Sequence, residues 1–291
     1  MTGRRARVGV IGGSGFYDMR GVEVLEEVEV ATPWGRPSDA VVLACLEGEV
    51  VAFLSRHGRG HRLLPGEVNS RANIAALKKL GVEQLIAFSA VGSLREELRP
   101  LDFVVPSQVI DRTRGRPGSF FGGGVVGHVA FADPFCERLA DLLRQKIGVL
   151  DLPGQHHGDT LVCIEGPLFS TRAESRLYRS WGAGLINMSA LPEAKLAREA
   201  ELCYALVCMV TDYDCWREGE SDVDIQTVLE YLRRNAENAR RLVAAVAGPV
   251  AASNRTCGCK DAARFAIITE GGARNPETVA RLHEILPTRF P

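Results

Sequence analysis

Leu202-Cys203-Tyr204-Ala205-Leu206-Val207-Cys208-Met209-Val210-Thr211-Asp212-Tyr213-Asp214 is the segment on which the reading of the fold turns. Residues 202–210 form the most apolar run in the chain. A run of that length, bounded by polar residues, reads as a strand buried on both faces, and such strands belong to sheets with helices on either side. Two aspartates, Asp212 and Asp214, then emerge directly from it. An exposed loop needs no explanation for such residues, but carboxyls at the mouth of a core do.

Working outward, short apolar runs alternate with helical patterns, which is the signature of an α/β sheet. Strands are expected at 8–11, 50–55, 85–89, 161–164 and 185–188. Helical spacing marks 68–80, ending at Gly81, and recurs over 135–147. Val228, Leu232, Ala236, Ala239, Val243 and Val246 line one face of a later amphipathic helix. The glycine- and arginine-rich stretch 112–127 reads as a loop over or beside a site, and the last thirty residues are weakly patterned.

Polar groups gather just after the expected strand ends: Ser14, Arg56, His57, Ser89, Ser189, Asp212 and Asp214. In open α/β sheets, ligands sit in the crevice beyond the carboxyl ends of strands, so these groups point to one shared pocket. Gly12-Gly13-Ser14-Gly15 is suited either to a tight turn or to cradling an anion. It is no dinucleotide fingerprint, because Asp18 stands where a third glycine belongs. Arg56 offers a planar fork matched to phosphate oxygens, and His57 adds a donor. Asp212 and Asp214 suit an exocyclic amine, and a carboxyl beside another carboxyl in a dry pocket has the raised pKa of a general acid. Glu165 and Glu193 read as helix or loop caps, while Asp39, His61 and His128 are uninformative in isolation.

Bulk properties exclude several classes. The chain has 291 residues, 46% of them hydrophobic, with 35 basic and 36 acidic side chains well mixed. No basic stripe argues for nucleic acid, and Arg4-Arg5-Ala6-Arg7 reads as a solvated end. No stretch approaches the roughly 18 apolar residues of a membrane span, and the apolar run at 8–11 is too short for a secretory signal. A cytoplasmic location is expected, with the eight cysteines reduced. Cys203 and Cys208 read as small packed hydrophobes. Cys257-Gly258-Cys259 lacks the second cysteine pair of a structural zinc site and reads as a loop, or as a local redox or stapling element. With no HExxH and no GxSxG either, the expected chemistry is anion-assisted, without metal or covalent intermediate.

Together the segments resemble the methylthioadenosine phosphorylase branch of the trimeric purine nucleoside phosphorylases, most strongly over 8–246. The markers include Thr32-Pro33-Trp34-Gly35-Arg36-Pro37-Ser38-Asp39, Arg56-His57-Gly58 and Ser89-Ala90-Val91-Gly92-Ser93. More specific still are Glu165-Gly166-Pro167, Phe169-Ser170-Thr171-Arg172-Ala173-Glu174-Ser175, Ile186-Asn187-Met188-Ser189, Pro192-Glu193-Ala194 and Thr211-Asp212-Tyr213-Asp214-Cys215-Trp216. The resemblance implies one α/β domain over 1–291, three layers deep, with a mixed, partly barrel-like sheet flanked by helices; 247–291 is poorly placed by it. It also implies a homotrimer with the site near a subunit interface.

By the same resemblance, phosphate is held by Ser14, Arg56, His57, Ser89, Ala90 and Ser189. The nucleoside lies along Asn187 and Met188 with Phe169 nearby, its base read by Asp212 and Asp214. His61, Val223, Ile225 and Val228 line a 5' pocket for a methylthio group. The implied reaction is phosphorolysis of 5'-methylthioadenosine to adenine and 5-methylthioribose 1-phosphate, with phosphate as co-substrate, no cofactor and no metal. Asp212 would deliver a proton at the purine N7. Three positions depart from the family pattern: Leu168 in place of arginine, and Ser189 and Ser14 in place of threonine. The rivals are a phosphorylase of broader or 6-oxopurine specificity, a hydrolytic nucleosidase and a non-catalytic nucleoside-binding protein. Two aspartates favour an amino group over a carbonyl oxygen, which they would repel.

Overall fold

The computed structural model describes residues 4–13, 22–217 and 225–290, with the backbone alone at Gln155, Ile225, Thr227 and Val228. In chain order the elements begin β1 (Val8–Gly12), β2 (Glu23–Val28), β3 (Val41–Leu46), β4 (Glu49–Ser55), α1 (Ser70–Lys79) and β5 (Gln84–Ser93). Then come β6 (Phe103–Val105), β7 (Gln108–Arg112), α2 (Glu137–Val149), β8 (Gln155–His157), β9 (Thr160–Ile164) and α3 (Arg172–Ser180). The chain closes with β10 (Leu185–Asn187), α4 (Ala190–Glu199), β11 (Cys203–Asp212), α5 (Ile225–Ala252) and α6 (Pro276–His283).

All eleven strands among the described residues join one mixed sheet, ordered β2-β3-β4-β1-β5-β10-β9-β7, with β11, β6 and β8 branching off at β5. β4, β1, β5 and β11 run parallel, so their carboxyl ends share one rim. The branching curls the sheet without closing it into a barrel. Side chains alternate along β11. Tyr204, Leu206, Cys208 and Val210 enter a core shared with α1 and α4. Cys203, Ala205, Val207 and Met209 enter a second core shared with α2 and α5. The unbroken apolar run at 202–210 is thus the central strand of a three-layer α/β fold, as its composition predicts.

Two differences from the sequence reading matter for the site. β5 does not stop at Ser89 but runs on to Ser93, because Gly92 and Ser93 pair antiparallel with Ile186 and Leu185 of β10. β11 likewise continues past Val210. A bulge at Thr211 shifts the register so that Asp212, rather than Thr211, faces Gly92. The unplaced C-terminal stretch also packs. Asn275 caps α6 by accepting from Thr278 N at 3.0 Å, and Leu282, Ile285, Leu286 and Phe290 are buried in the α1/α4 core. No described helix is long and apolar enough to cross a membrane.

Candidate active site

The rim of parallel strands opens into one cavity lined by Gly13 just after β1, Arg56 and His57 just after β4, and Ser89 to Gly92 of β5. From the segment after β10 come Met188 and Ser189, and β11 ends in Thr211, Asp212 and, just beyond, Asp214. Every expected site residue whose side chain is described lines this cavity: Arg56, His57, His61, Ser89, Ala90, Phe169, Asn187, Met188, Ser189, Asp212 and Asp214. Ser14 and Val223 lie outside the described residues, as do the side chains of Ile225 and Val228. Pro65 and Leu232 of α5 join the wall without having been singled out from sequence. Leu168 is 83% exposed and away from the lining.

Arg56 is buried and held on three sides. Its Nε and Nη2 donate to Glu193 Oε2 and Oε1 at 2.8 and 2.9 Å, and Nη1 donates to the Phe88 carbonyl at 2.9 Å. The Glu193 carboxylate therefore fixes the orientation of the guanidinium, whose Nη1 and Nη2 each carry a second N–H. Glu193 is itself no cap. It is 1% exposed and also accepts from the Tyr204 hydroxyl at 2.8 Å. A glutamate beside a proline at a helix start looks like a cap until the fold brings Arg56 against it.

His57 lies beside Arg56 and is neutral. Burial, then the Arg56 charge, lowers its pKa to about 4, so it is neutral at pH 7. Its Nδ1 lies 2.9 Å from the Leu63 carbonyl, which fixes the tautomer with hydrogen on Nδ1 and leaves Nε2 as an acceptor. The ring stacks on His61 at 4.4 Å. His61, whose pKa is lowered by burial, takes a left-handed φ of 54° there.

Between β5 and β10 the hydroxyls of Ser89 and Ser189 lie 2.9 Å apart, although 100 positions separate them in sequence. Ser89 Oγ also lies 2.9 Å from the Ala90 carbonyl and accepts from Asn187 Nδ2 at 3.0 Å. Asn187 Oδ1 is buried and has no hydrogen-bond partner among the described residues. Buried acceptors are normally satisfied, so an unpartnered one lining a cavity suits a ligand hydroxyl. Gly166 has a φ of 69°, and a Cβ there would come within 2.4 Å of Met188 Sδ, so only glycine lets Met188 lie along the cavity.

At the other end, the bulge sets two carboxyls side by side. Asp212 accepts from the Thr211 hydroxyl at 2.7 Å and from Asp214 N at 2.8 Å. Asp214 accepts from the Ser175 hydroxyl at 2.5 Å and takes a left-handed φ of 51°. Burial raises both pKa values. That of Asp214 reaches about 6, with the Asp212 charge adding to the burial. Opposite them, a Cβ on Gly92 would meet Asp212 Oδ1 and Ile186 Cγ2 at 3.0 Å. The pair is packed against a glycine on purpose of space, not of backbone angle.

Arg116, from the glycine-rich loop, ties the site's walls together and was not anticipated. Its Nη1 donates to the carbonyls of Met188 and Leu191 at 2.7 and 2.8 Å, and its Nε to Glu165 at 3.1 Å. Asp39 accepts from Arg59 N at 2.6 Å and lies outside the cavity. The expectation of no cysteine cluster fails. Cys136 and Cys203 supply the pair that Cys257 and Cys259 lacked, all four sulfurs lying within 4.8 Å of one another. Sequence spacing hides them because three separate segments contribute.

A parallel-strand rim with hydroxyls, a buried cation and a buried carboxyl pair defines a protein of the phosphorylase superfamily, and that family's model matches residues 7–247. The protein named S-methyl-5'-thioadenosine phosphorylase from Gloeobacter violaceus is 53% identical over 273 residues, covering 93% of this chain and 91% of that one. The crystal structure of a methylthioadenosine phosphorylase from an antarctic soil metagenomic library superposes with a TM-score of 0.93 at 46% identity, covering 98% of this chain and 100% of that one. A variant of the adenosine/methylthioadenosine phosphorylase from Schistosoma mansoni, solved in complex with methylthioadenosine, superposes at 0.83 with 36% identity, covering 93% and 99%. The chain belongs to the methylthioadenosine phosphorylase family.

Proposed function

We propose that this chain cleaves 5'-methylthioadenosine with inorganic phosphate, giving adenine and 5-methylthioribose 1-phosphate. The observation that carries the reading is the polarity of the cavity: neutral and cationic donors at one end, two carboxyls of raised pKa at the other, and apolar walls between. The names of the relatives agree with it.

Phosphate sits against Ser89, Ser189 and the Ala90 backbone, and Arg56 supplies a fixed positive charge behind it. Neutral His57 accepts a P–OH hydrogen, or is protonated by the field of the bound dianion. The ribose lies along Met188, with Asn187 Oδ1 accepting from a substrate hydroxyl. Asp212 and Asp214 accept from the adenine amino group and share a proton with N7. As the C1'–N9 bond lengthens, its electron pair moves into the base and the carboxyl pair delivers the proton at N7. The oxocarbenium-like centre is stabilised by the phosphate, whose oxygen then bonds to C1'. Leu232, Pro65 and His61 flank the position for the methylthio group, where a 5'-hydroxyl without an acceptor loses hydration.

No cofactor enters this scheme, and a cytoplasmic homotrimer is part of the same reading. Phe169, which lines the cavity, is 49% exposed and would be covered by a neighbouring copy. The test is the sugar product. Phosphorus NMR should reveal a sugar 1-phosphate formed in step with adenine, and free methylthioribose in its place would refute the proposal.

A further inference from the structure

Far from the cavity, four cysteines converge. Cys136 precedes α2 as its N-cap residue, Cys203 opens β11, and Cys257 and Cys259 lie in the loop after α5. Cys136, Cys203 and Cys259 are at most 4% exposed. The Cys203 and Cys257 sulfurs are 3.4 Å apart and those of Cys136 and Cys257 3.6 Å apart. A tetrahedron of Zn–S bonds near 2.3 Å has sulfur–sulfur edges of about 3.8 Å, so the four thiols already approximate a tetrathiolate shell. Among the described residues no carboxylate or imidazole belongs to the group, and an all-sulfur set selects a soft or borderline cation over magnesium or calcium.

The surroundings suit the charge such a centre would carry. Four thiolates around a divalent ion leave two negative charges, and three guanidiniums face the sulfurs. Arg255 Nε donates to Cys203 at 3.4 Å, Arg198 Nη1 to Cys259 at 3.6 Å, and Arg138 Nη2 to Cys203 at 3.8 Å. Such outer contacts orient ligands and offset their charge. Cys136 occupies the N-cap position of the 13-residue α2, at the positive end of that helix.

We propose that Cys136, Cys203, Cys257 and Cys259 form a structural zinc(II) site. The ion binds as the thiols release their protons to solvent, and it ties the segment after α5 to α2 and β11. The site is structural because Cys203 and Asp212 occupy opposite ends of β11, roughly 30 Å apart at about 3.3 Å per residue.

The test uses the full chain, reduced and stripped with a chelator, then titrated with cobalt(II) and with zinc(II). One cobalt per chain should bind with the visible bands of a tetrahedral thiolate and a sulfur-to-cobalt charge-transfer band, and zinc should abolish both. Zinc should raise the thermal midpoint by several degrees with kcat on methylthioadenosine unchanged. The double variant Cys257→Ser, Cys259→Ser should lose the bands while keeping its circular dichroism. If that variant fails to fold, the titration of the wild-type chain decides. A reduced chain that takes up no metal, a well-folded double variant that binds as tightly as wild type, or disulfide-linked peptides from protein prepared in reducing buffer with zinc would each overturn the proposal.

Discussion

Arg56 and Glu193 form a bidentate ion pair at 2.8 and 2.9 Å, with side chains only 3% and 2% exposed. The pair joins the end of β4 to α4 and is completed by the Tyr204 hydroxyl. It makes Arg56 a charge whose orientation Glu193 fixes. Removing one partner of a buried pair leaves an uncompensated charge and costs about 3–5 kcal/mol. Glu193→Gln is therefore expected to lower the thermal midpoint and to raise the KM for phosphate at least tenfold more than that for nucleoside. Steady-state kinetics with each substrate varied checks this, and equal changes in both constants would mean that Arg56 has no part in holding phosphate.

The carboxyl pair predicts a pH profile. With Asp214 near 6, the fraction carrying a proton falls about tenfold per pH unit above that value. The kcat/KM for methylthioadenosine should decline on the alkaline side, and Asp214→Asn should flatten that limb while lowering the rate by orders of magnitude. Asp212→Asn should lose turnover comparably and shift preference towards 6-oxopurines. An unchanged ratio of methylthioadenosine to methylthioinosine cleavage in Asp212→Asn would remove Asp212 from base recognition.

His57 and Asp214 pull stability in opposite directions with pH. His57 is held below its ordinary value, so the unfolded chain binds more protons between about 4 and 6.5, and stability is lost as pH falls through that window. Asp214 is held above its ordinary value, so the folded chain binds more protons between 3.8 and about 6, and its contribution is lost as pH rises. Each effect is on the order of 3 kcal/mol and the two largely offset. Asp214→Asn should therefore steepen acid destabilisation, read as the denaturation midpoint at pH 4.5 against pH 7. A variant with the wild-type slope would show that one of the two groups is not perturbed.

Gly92 is small because two residues need its space. Gly92→Ala would set a methyl 3.0 Å from Asp212 Oδ1 and Ile186 Cγ2. Displacing a reacting group by a fraction of an ångström to an ångström can cost up to about a hundredfold in rate. The expected result is a loss of about ten- to a hundredfold in kcat/KM with a shift of a few degrees at most in the thermal midpoint. Full activity would show that the carboxyl pair tolerates movement.

The buried strands β1, β4, β5, β9, β10 and β11 were legible because each is an apolar run bounded by turn residues. β2 was not, since Glu23 and Glu27 face solvent at a sheet edge and leave little apolar signal. β6 and β8 have three residues each, below any useful periodicity. The site was visible as polar groups at strand ends, and the sheet's parallel rim brings them together. What sequence could not supply is pairing across long separations. Glu193 looks like a cap until Arg56 arrives from 137 positions away. Ser175 looks like an ordinary helix residue until Asp214 meets it, and a C-x-C pair looks incomplete until Cys136 and Cys203 join it.

The central claim is that phosphate, not water, cleaves the glycosidic bond of methylthioadenosine. Adenine release from methylthioadenosine and from adenosine, each with and without phosphate, tests it most directly. Release that requires phosphate and is faster with the thioether is the predicted result. Equal release without phosphate, or cleavage of inosine with neither adenine nucleoside touched, would contradict it.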